Sequence, residues 1–217
     1  MNLLDLFHND EGEPGDWMKG VAIGIVTDNK DPENMGRVRI NFPWRKADDQ
    51  SYWARIATLM AGNGRGSFLI PEIEDEVLVA FEHGDINHPF VIGALWNGKD
   101  KPPETNNNGK NNIRKITSRS GHEIIFNDEE HKEKVILHTK AGHTILLDDT
   151  SAAEKIEIKD KNERNKILFD SVQNAITIES MMQLKLKSSV IEIEAEASMI
   201  LKSGNLLQIQ GLPVKIN

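Results

Sequence analysis

The sequence predicts an all-β chain in two parts, a small barrel followed by a stack of one-sided strands. Three observations carry this. Five short runs rich in Val, Ile, Phe, Trp and Tyr lie between turn-rich segments over residues 19–97. A polar stretch follows, and from residue 113 apolar residues recur at i, i+2 with no helical period.

Taken in order, residues 1–17 form an N-terminal segment, "MNLLDLFHNDEGEPGDW", with neither the basic start nor the apolar run of a signal peptide. The barrel is expected over 18–97. Its strands are "GVAIGIVTD" (20–28), "RVRINFPW" (37–44), "YWARIATL" (52–59), "DEVLVAFEH" (75–83) and "PFVIGALWN" (89–97). The intervening "NKDPENMG", "AGNGRG" and "HGDIN" hold the Gly, Asn, Asp and Pro that tight turns favour. Five such strands suit a Greek-key barrel of the oligonucleotide/oligosaccharide-binding (OB) type, and the pattern also allows an SH3-like barrel. Residues 98–112, mostly Asn, Lys, Gly and Pro, read as a linker.

Over 113–217 two strand families interleave. "KVILHT", "KIEIKD" and "AITIES" begin their apolar pairs at Val135, Ile156 and Ile176, while "HEIIFND", "HTILLDD" and "KILFDS" place Ile124, Ile145 and Ile167 at nearly the same spacing. A shared period of 20–22 residues is an internal repeat. After residue 180 it tightens into "LKLKS", "IEIEAEA", "MILKS", "LLQIQ" and "VKIN". Such strands must bury their apolar face, yet few tight turns and no amphipathic helix are legible here. A single-chain solenoid satisfies this requirement, and so do several identical chains wound together. The thin apolar content per repeat favours the second.

Composition excludes several functions. The formal net charge of −8, without clustered Lys or Arg, argues against a nucleic-acid partner. With no cysteine there is no disulfide, thiolate metal site or cysteine nucleophile.

"GVAIGIVTDNKDPENMGRVRINFPW", "YWARIATLMAGNGRGSFLIPEIEDEVLVAFEHGDINHPFVIGALWNGKDKPP" and "SRSGHEIIFNDEE" together closely resemble the central spike proteins of contractile injection machines. These include phage baseplate assembly protein V, the phage tail spike with an attached lysozyme, and the valine-glycine repeat (VgrG) spike of type VI secretion. The resemblance implies a five-stranded OB-type barrel followed by an intertwined trimeric β-helix, or β-prism, forming a needle. It implies a homotrimer, a hub or baseplate protein above the barrel, and tail tube and sheath as indirect partners. A proline-alanine-alanine-arginine (PAAR) repeat tip protein or an effector is then expected at the C-terminal end, on Leu212, Pro213, Val214, Lys215, Ile216 and Asn217. The needle meets the target cell envelope, at the tail tip of a virion or injection particle assembled in the cytoplasm. About 17 residues before the barrel imply that a hub would be a separate protein, and the linker of about 15 residues is too short for a lysozyme between barrel and needle.

No catalytic residue, metal or cofactor is expected. Glu72, Glu74, Asp75 and Glu76 cluster before a strand, but nothing in the sequence separates them into a working acid and base. "GNGRG" (62–66) lacks the helix and Lys of a phosphate loop. His122 and His143 occupy equivalent repeat positions and share strand parity with Ile124 and Ile145, which suits a hydrogen-bonded role better than ligation. His83 and His88 flank a turn. The alternatives are a peptidoglycan- or saccharide-acting enzyme, suggested by the acids, and a single-strand-binding OB protein using Trp44, Tyr52, Trp53 and Trp96.

Overall fold

The computed structural model describes residues 17–46 and 50–215. The chain divides between Thr105 and Asn106 into two compact units, both built of strands.

In the first unit a five-stranded sheet runs in the order β2-β1-β6-β7-β3. Its strands are β1 (Val21–Asp28), β2 (Arg39–Asn41), β3 (Arg55–Ile56), β6 (Glu76–Phe81) and β7 (Pro89–Ala94). All pairings are antiparallel except β3 with β7. The two edges then meet: Val38 and Ala54 exchange backbone hydrogen bonds of 3.0 and 2.8 Å, and Ser51 N–H donates to the Ile40 carbonyl at 2.8 Å. The sheet curls round on itself as an OB-like barrel.

Alternation decides what fills it. In β1 and β6 every second residue points inward, placing Ala22 and Val26 against Val77, Val79 and Phe81. Val38, Ile40, Phe42, Ala54, Ile86 and Val91 complete the core. Gly24 continues the inward row because nothing larger fits, since a Cβ there would lie 2.3 Å from Ile40 Cγ2.

Between β3 and β6, "AGNGRG" is a two-residue hairpin of β4 (Ala61–Gly62) and β5 (Arg65–Gly66), so the resemblance to a phosphate loop ends there. The turn from β1 to β2 is organised by Asp31, a carboxylate only 3% exposed. It accepts the backbone N–H groups of Glu33, Met35 and Arg37, and Arg37 Nε and a terminal nitrogen at 2.9 and 2.8 Å. The Arg37 guanidinium, aided by those backbone groups and opposed by burial, holds the carboxyl well below the usual carboxylate range. A depressed folded pKa contributes stability that is complete above the unfolded value near 4 and lost as pH falls below it. Asp31→Asn is therefore expected to lower the barrel's melting temperature at neutral pH and to flatten its decline in acid, read by a thermal melt series from pH 7 to pH 2.

The second unit is a seven-stranded antiparallel meander in simple sequence order. Its strands are β8 (Ile113–Thr117), β9 (Glu123–Asn127), β10 (Lys134–His138), β11 (Thr144–Asp148), β12 (Lys155–Lys159), β13 (Asn165–Asp170) and β14 (Ala175–Ser180). Both predicted strand families are present, as β9, β11, β13 and β10, β12, β14. The expected scarcity of tight turns is corrected, because the chain reverses after every strand.

At one edge the turn repeats in chemical detail. Ser118 N–H donates to the His122 carbonyl, Gly121 N–H to the Ser118 carbonyl, and His122 N–H to Ser118 Oγ. Thr139, Gly142 and His143 repeat all three bonds. Gly121 and Gly142 have φ of 89° and 100°, open to glycine and resisted by a side chain. At the other edge the left-handed positions belong to His131, Ala152 and Asn174.

Beyond Ser180 the predicted alternation persists in sequence but forms no strand. Residues 181–215 are all exposed, and among the described residues no backbone-to-backbone hydrogen bond falls there. A strand needs a neighbour to pair with, and the described residues supply none there.

Candidate functional site

The described residues of the second unit present two different surfaces. In the meander, directly paired residues share a face. One row across the sheet reads Ile116, Ile124, Leu137, Ile145, Ile158, Ile167, Ile178. The adjacent row reads Phe126, Val135, Leu147, Ile156, Phe169, Ile176. Both lie on the same face, and Ile124, Ile145, Leu147, Ile156 and Ile158 are each about 40% exposed. A continuous apolar sheet face of this kind marks a contact surface.

The opposite face is charged and satisfied. Its central row carries Ile125, Ile136, Leu146 and Leu168, flanked by cross-strand ion pairs. Lys134 meets Asp148 at 2.7 Å, Lys166 meets Glu179 at 3.2 Å, and Lys115 meets Glu123 at 3.1 Å. Asp148 is 5% exposed. Burial alone raises its carboxyl, and bonds from Lys134 and from the Thr150 hydroxyl and N–H outweigh this and hold it low. Among the described residues of the second unit, this polar side chain is buried while no apolar one is. The apolar core of the described chain lies wholly in the barrel.

The histidines have a shared role. His122 Nδ1 accepts the Lys140 N–H at 3.4 Å, and His143 Nδ1 accepts the Lys161 N–H at 3.3 Å. Each imidazole thereby ties its own turn to the next turn on the same edge, which requires the tautomer protonated at Nε2. Among the described residues no three His, Asp or Glu side chains converge as a metal would need. His88 Nδ1 lies 2.8 Å from an Asp85 carboxylate oxygen, and His83 sits in the 3-10 turn Glu82–Gly84 at φ 51°.

The acids before β6 serve local structure. The Glu72 N–H donates to Asp75 Oδ2 at 2.8 Å, Glu74 lies 3.5 Å from Lys99, and Glu76 accepts an Asn97 amide N–H at 3.1 Å. Of the barrel aromatics, Trp44 stacks on Phe42 with centroids 5.2 Å apart, and Trp53 lies under the Arg39 guanidinium at 5.1 Å. Tyr52 and Trp96 are exposed.

The C-terminal residues singled out by sequence lie in the unpaired segment. Leu212 and Val214 are exposed, as are Pro213 and Lys215, while Ile216 and Asn217 lie outside the described residues.

The first unit is of one recognisable class, an OB-like barrel. Residues 22–96 match the type VI secretion system/phage-baseplate injector OB domain. The chain is 30% identical over 116 residues to the type VI secretion system spike protein VgrG3 of Vibrio cholerae serotype O1, a match covering 50% of this chain and 11% of that protein. It is 32% identical over 117 residues to the spike protein VgrG4b of Pseudomonas aeruginosa, covering 50% and 14%. The actin cross-linking toxin VgrG1 of V. cholerae is 30% identical over 142 residues, covering 60% and 13%. Residues 22–96, about a third of the chain, therefore carry an injector OB domain, and the matches to VgrG spike proteins span between about a tenth and a seventh of those relatives' length.

Proposed function

We propose that three copies of this chain form the central spike of a contractile phage tail or phage-like injection particle. The carrying observation is the pair of apolar rows on one face of the meander, bare in the single chain and backed by a face already satisfied by ion pairs. Turning three such faces inward buries the rows around a common axis and leaves the charged faces to solvent. The backbone of residues 181–215, which among the described residues makes no backbone-to-backbone hydrogen bond, supports the same reading, because interchain ladders would supply such bonds and remove its open edges.

The action of such a spike is mechanical. Contraction of a sheath drives a stiff, narrow β-structure through the target envelope, and no step of it requires a catalytic group or cofactor. The barrel joins the needle to a hub or baseplate protein, and the assembled particle carries the spike at its tip after assembly in the cytoplasm. Leu212, Pro213, Val214, Lys215, Ile216 and Asn217 of three copies present an apolar end to a PAAR-type tip protein or to cargo.

Light scattering of the purified full chain tests the assembly: with 24.4 kDa per chain, three copies give about 73 kDa, and a stable monomer overturns the proposal. The tip contact is tested separately. Leu212→Asp combined with Val214→Asp is expected to abolish co-elution with a PAAR-repeat protein while the scattering mass stays unchanged.

A further inference from the structure

We infer that the groove between the end of the β2–β3 connection and the β6–β7 turn of the barrel binds a neutral saccharide chain. The inference concerns the first unit alone and does not depend on the three-copy reading. The groove has a volume of about 470 Å³, within the range of small-molecule sites. Strand pairing builds its floor. β3 runs parallel to β7 with Arg55 opposite Phe90, and the Arg55 guanidinium lies over the Phe90 ring at 4.4 Å. Just before β3, Tyr52 and Trp53 add two more rings, and the Arg39 guanidinium lies 5.1 Å from the Trp53 ring centroid. The β6–β7 turn faces these rings with Glu82, Asp85, Asn87 and His88.

The polar groups are held in place and still have bonding capacity. Asp85 accepts the Asn87 backbone and amide N–H groups at 2.9 and 3.0 Å and meets His88 Nδ1 at 2.8 Å, which fixes all three side chains within one turn. Arg55 approaches Glu82 only to 4.0 Å, so guanidinium donors and carboxylate lone pairs remain for a ligand. Tyr52 is 69% exposed, and among the described residues its hydroxyl has no hydrogen-bond partner.

Aromatic faces beside both donors and acceptors match one ligand chemistry. A sugar ring has an apolar C–H face that stacks on an electron-rich ring, and hydroxyls around its edge that donate and accept. A phosphate backbone would meet the Glu82 and Asp85 carboxylates in a chain of net charge −8. An apolar ligand would strip water from the same carboxylates without replacing its hydrogen bonds. The neutral polyol satisfies the carboxylates, the guanidinium and the rings together.

Isothermal titration calorimetry of the full chain tests this with three probes. They are chitotriose, whose rings carry acetamido groups, cellotriose, which lacks them, and a short oligodeoxythymidylate. At least one saccharide is expected to bind saturably, and the oligonucleotide at least about tenfold more weakly. Binding of both saccharides assigns the contacts to ring faces and hydroxyls, and binding of chitotriose alone adds the acetamido group. Tyr52→Ala and Arg55→Ala, both at exposed side chains, are each expected to lower saccharide affinity at least about tenfold. Trp96→Ala removes an equally exposed ring outside the groove and is expected to stay within about threefold of the unmodified chain. A thermal melt of each variant, expected to match the unmodified chain, separates lost binding from lost folding. The inference is overturned by an unmodified chain that binds neither saccharide, by affinity that survives both groove substitutions, by an equal loss in Trp96→Ala, or by tighter binding of the oligonucleotide. None of these outcomes alters the scattering mass on which the three-copy reading stands or falls.

Discussion

Leu147→Lys is expected to leave the full chain monomeric in light scattering at concentrations where the unmodified protein is expected to give the mass of three copies. Leu147 lies in the middle strand of the meander, directly paired with Val135 and Ile156, and is 41% exposed in the single chain. A lysine there can keep its ammonium in water as long as the face stays open. Assembly would bring three ammonium groups together in an apolar interior, at several kcal/mol per charge without a partner. The far-UV circular dichroism of the monomer should be retained, because the turns and the charged face that hold the meander are untouched. A Leu147→Lys protein that still forms three copies would mean that the apolar rows face solvent in the working particle.

The second large effect falls on the barrel. Phe42 is fully buried, with ring centroids 5.2 Å from Trp44 and 5.6 Å from Phe81. Phe42→Ala empties the centre of the core and is expected to cost about 3–5 kcal/mol. For a domain of this size that corresponds to a fall of roughly 15–30 °C in the barrel's unfolding transition. Differential scanning calorimetry reads it directly, and a shift of only a few degrees would show that Phe42 does not anchor the core. The barrel contains its own core, so this transition moves without requiring the meander to change.

The barrel was largely legible because its signals are local. In β1 and β6 alternating Val, Ala and Phe positions mark the buried face without reference to any other strand. The run at 52–59 was less faithful: only Arg55 and Ile56 pair as a strand, and they do so in parallel with β7. Such a pairing depends on residues more than thirty positions away, and no local pattern encodes it.

In the second unit the strands were legible, and of the turns only those at Gly121 and Gly142 were. His131 and Ala152 take left-handed backbone angles without a Gly or Asn to announce them, and the Ser118 and Thr139 caps act through one hydroxyl each. The role of His122 and His143 was hidden for a similar reason, because the N–H that each accepts lies 18 residues further on. Past Ser180 the alternation was plain, yet among the described residues it forms no strand, because alternation marks a face and does not supply a neighbour to pair with.

The repeating turn makes the length of this protein countable. Residues 134–154 comprise β10, β11 and their two reversals, and the strand that follows, Lys155–Lys159, matches Lys134–His138 in position and face. Excising that 21-residue cassette joins equivalent points in the pattern and removes two strands, about 10 Å of stack at the usual spacing between strands. Duplicating it adds the same increment. Reach can therefore change in whole steps, with each new step inheriting its hydrophobic face, its ion pairs and its turn from the copy beside it.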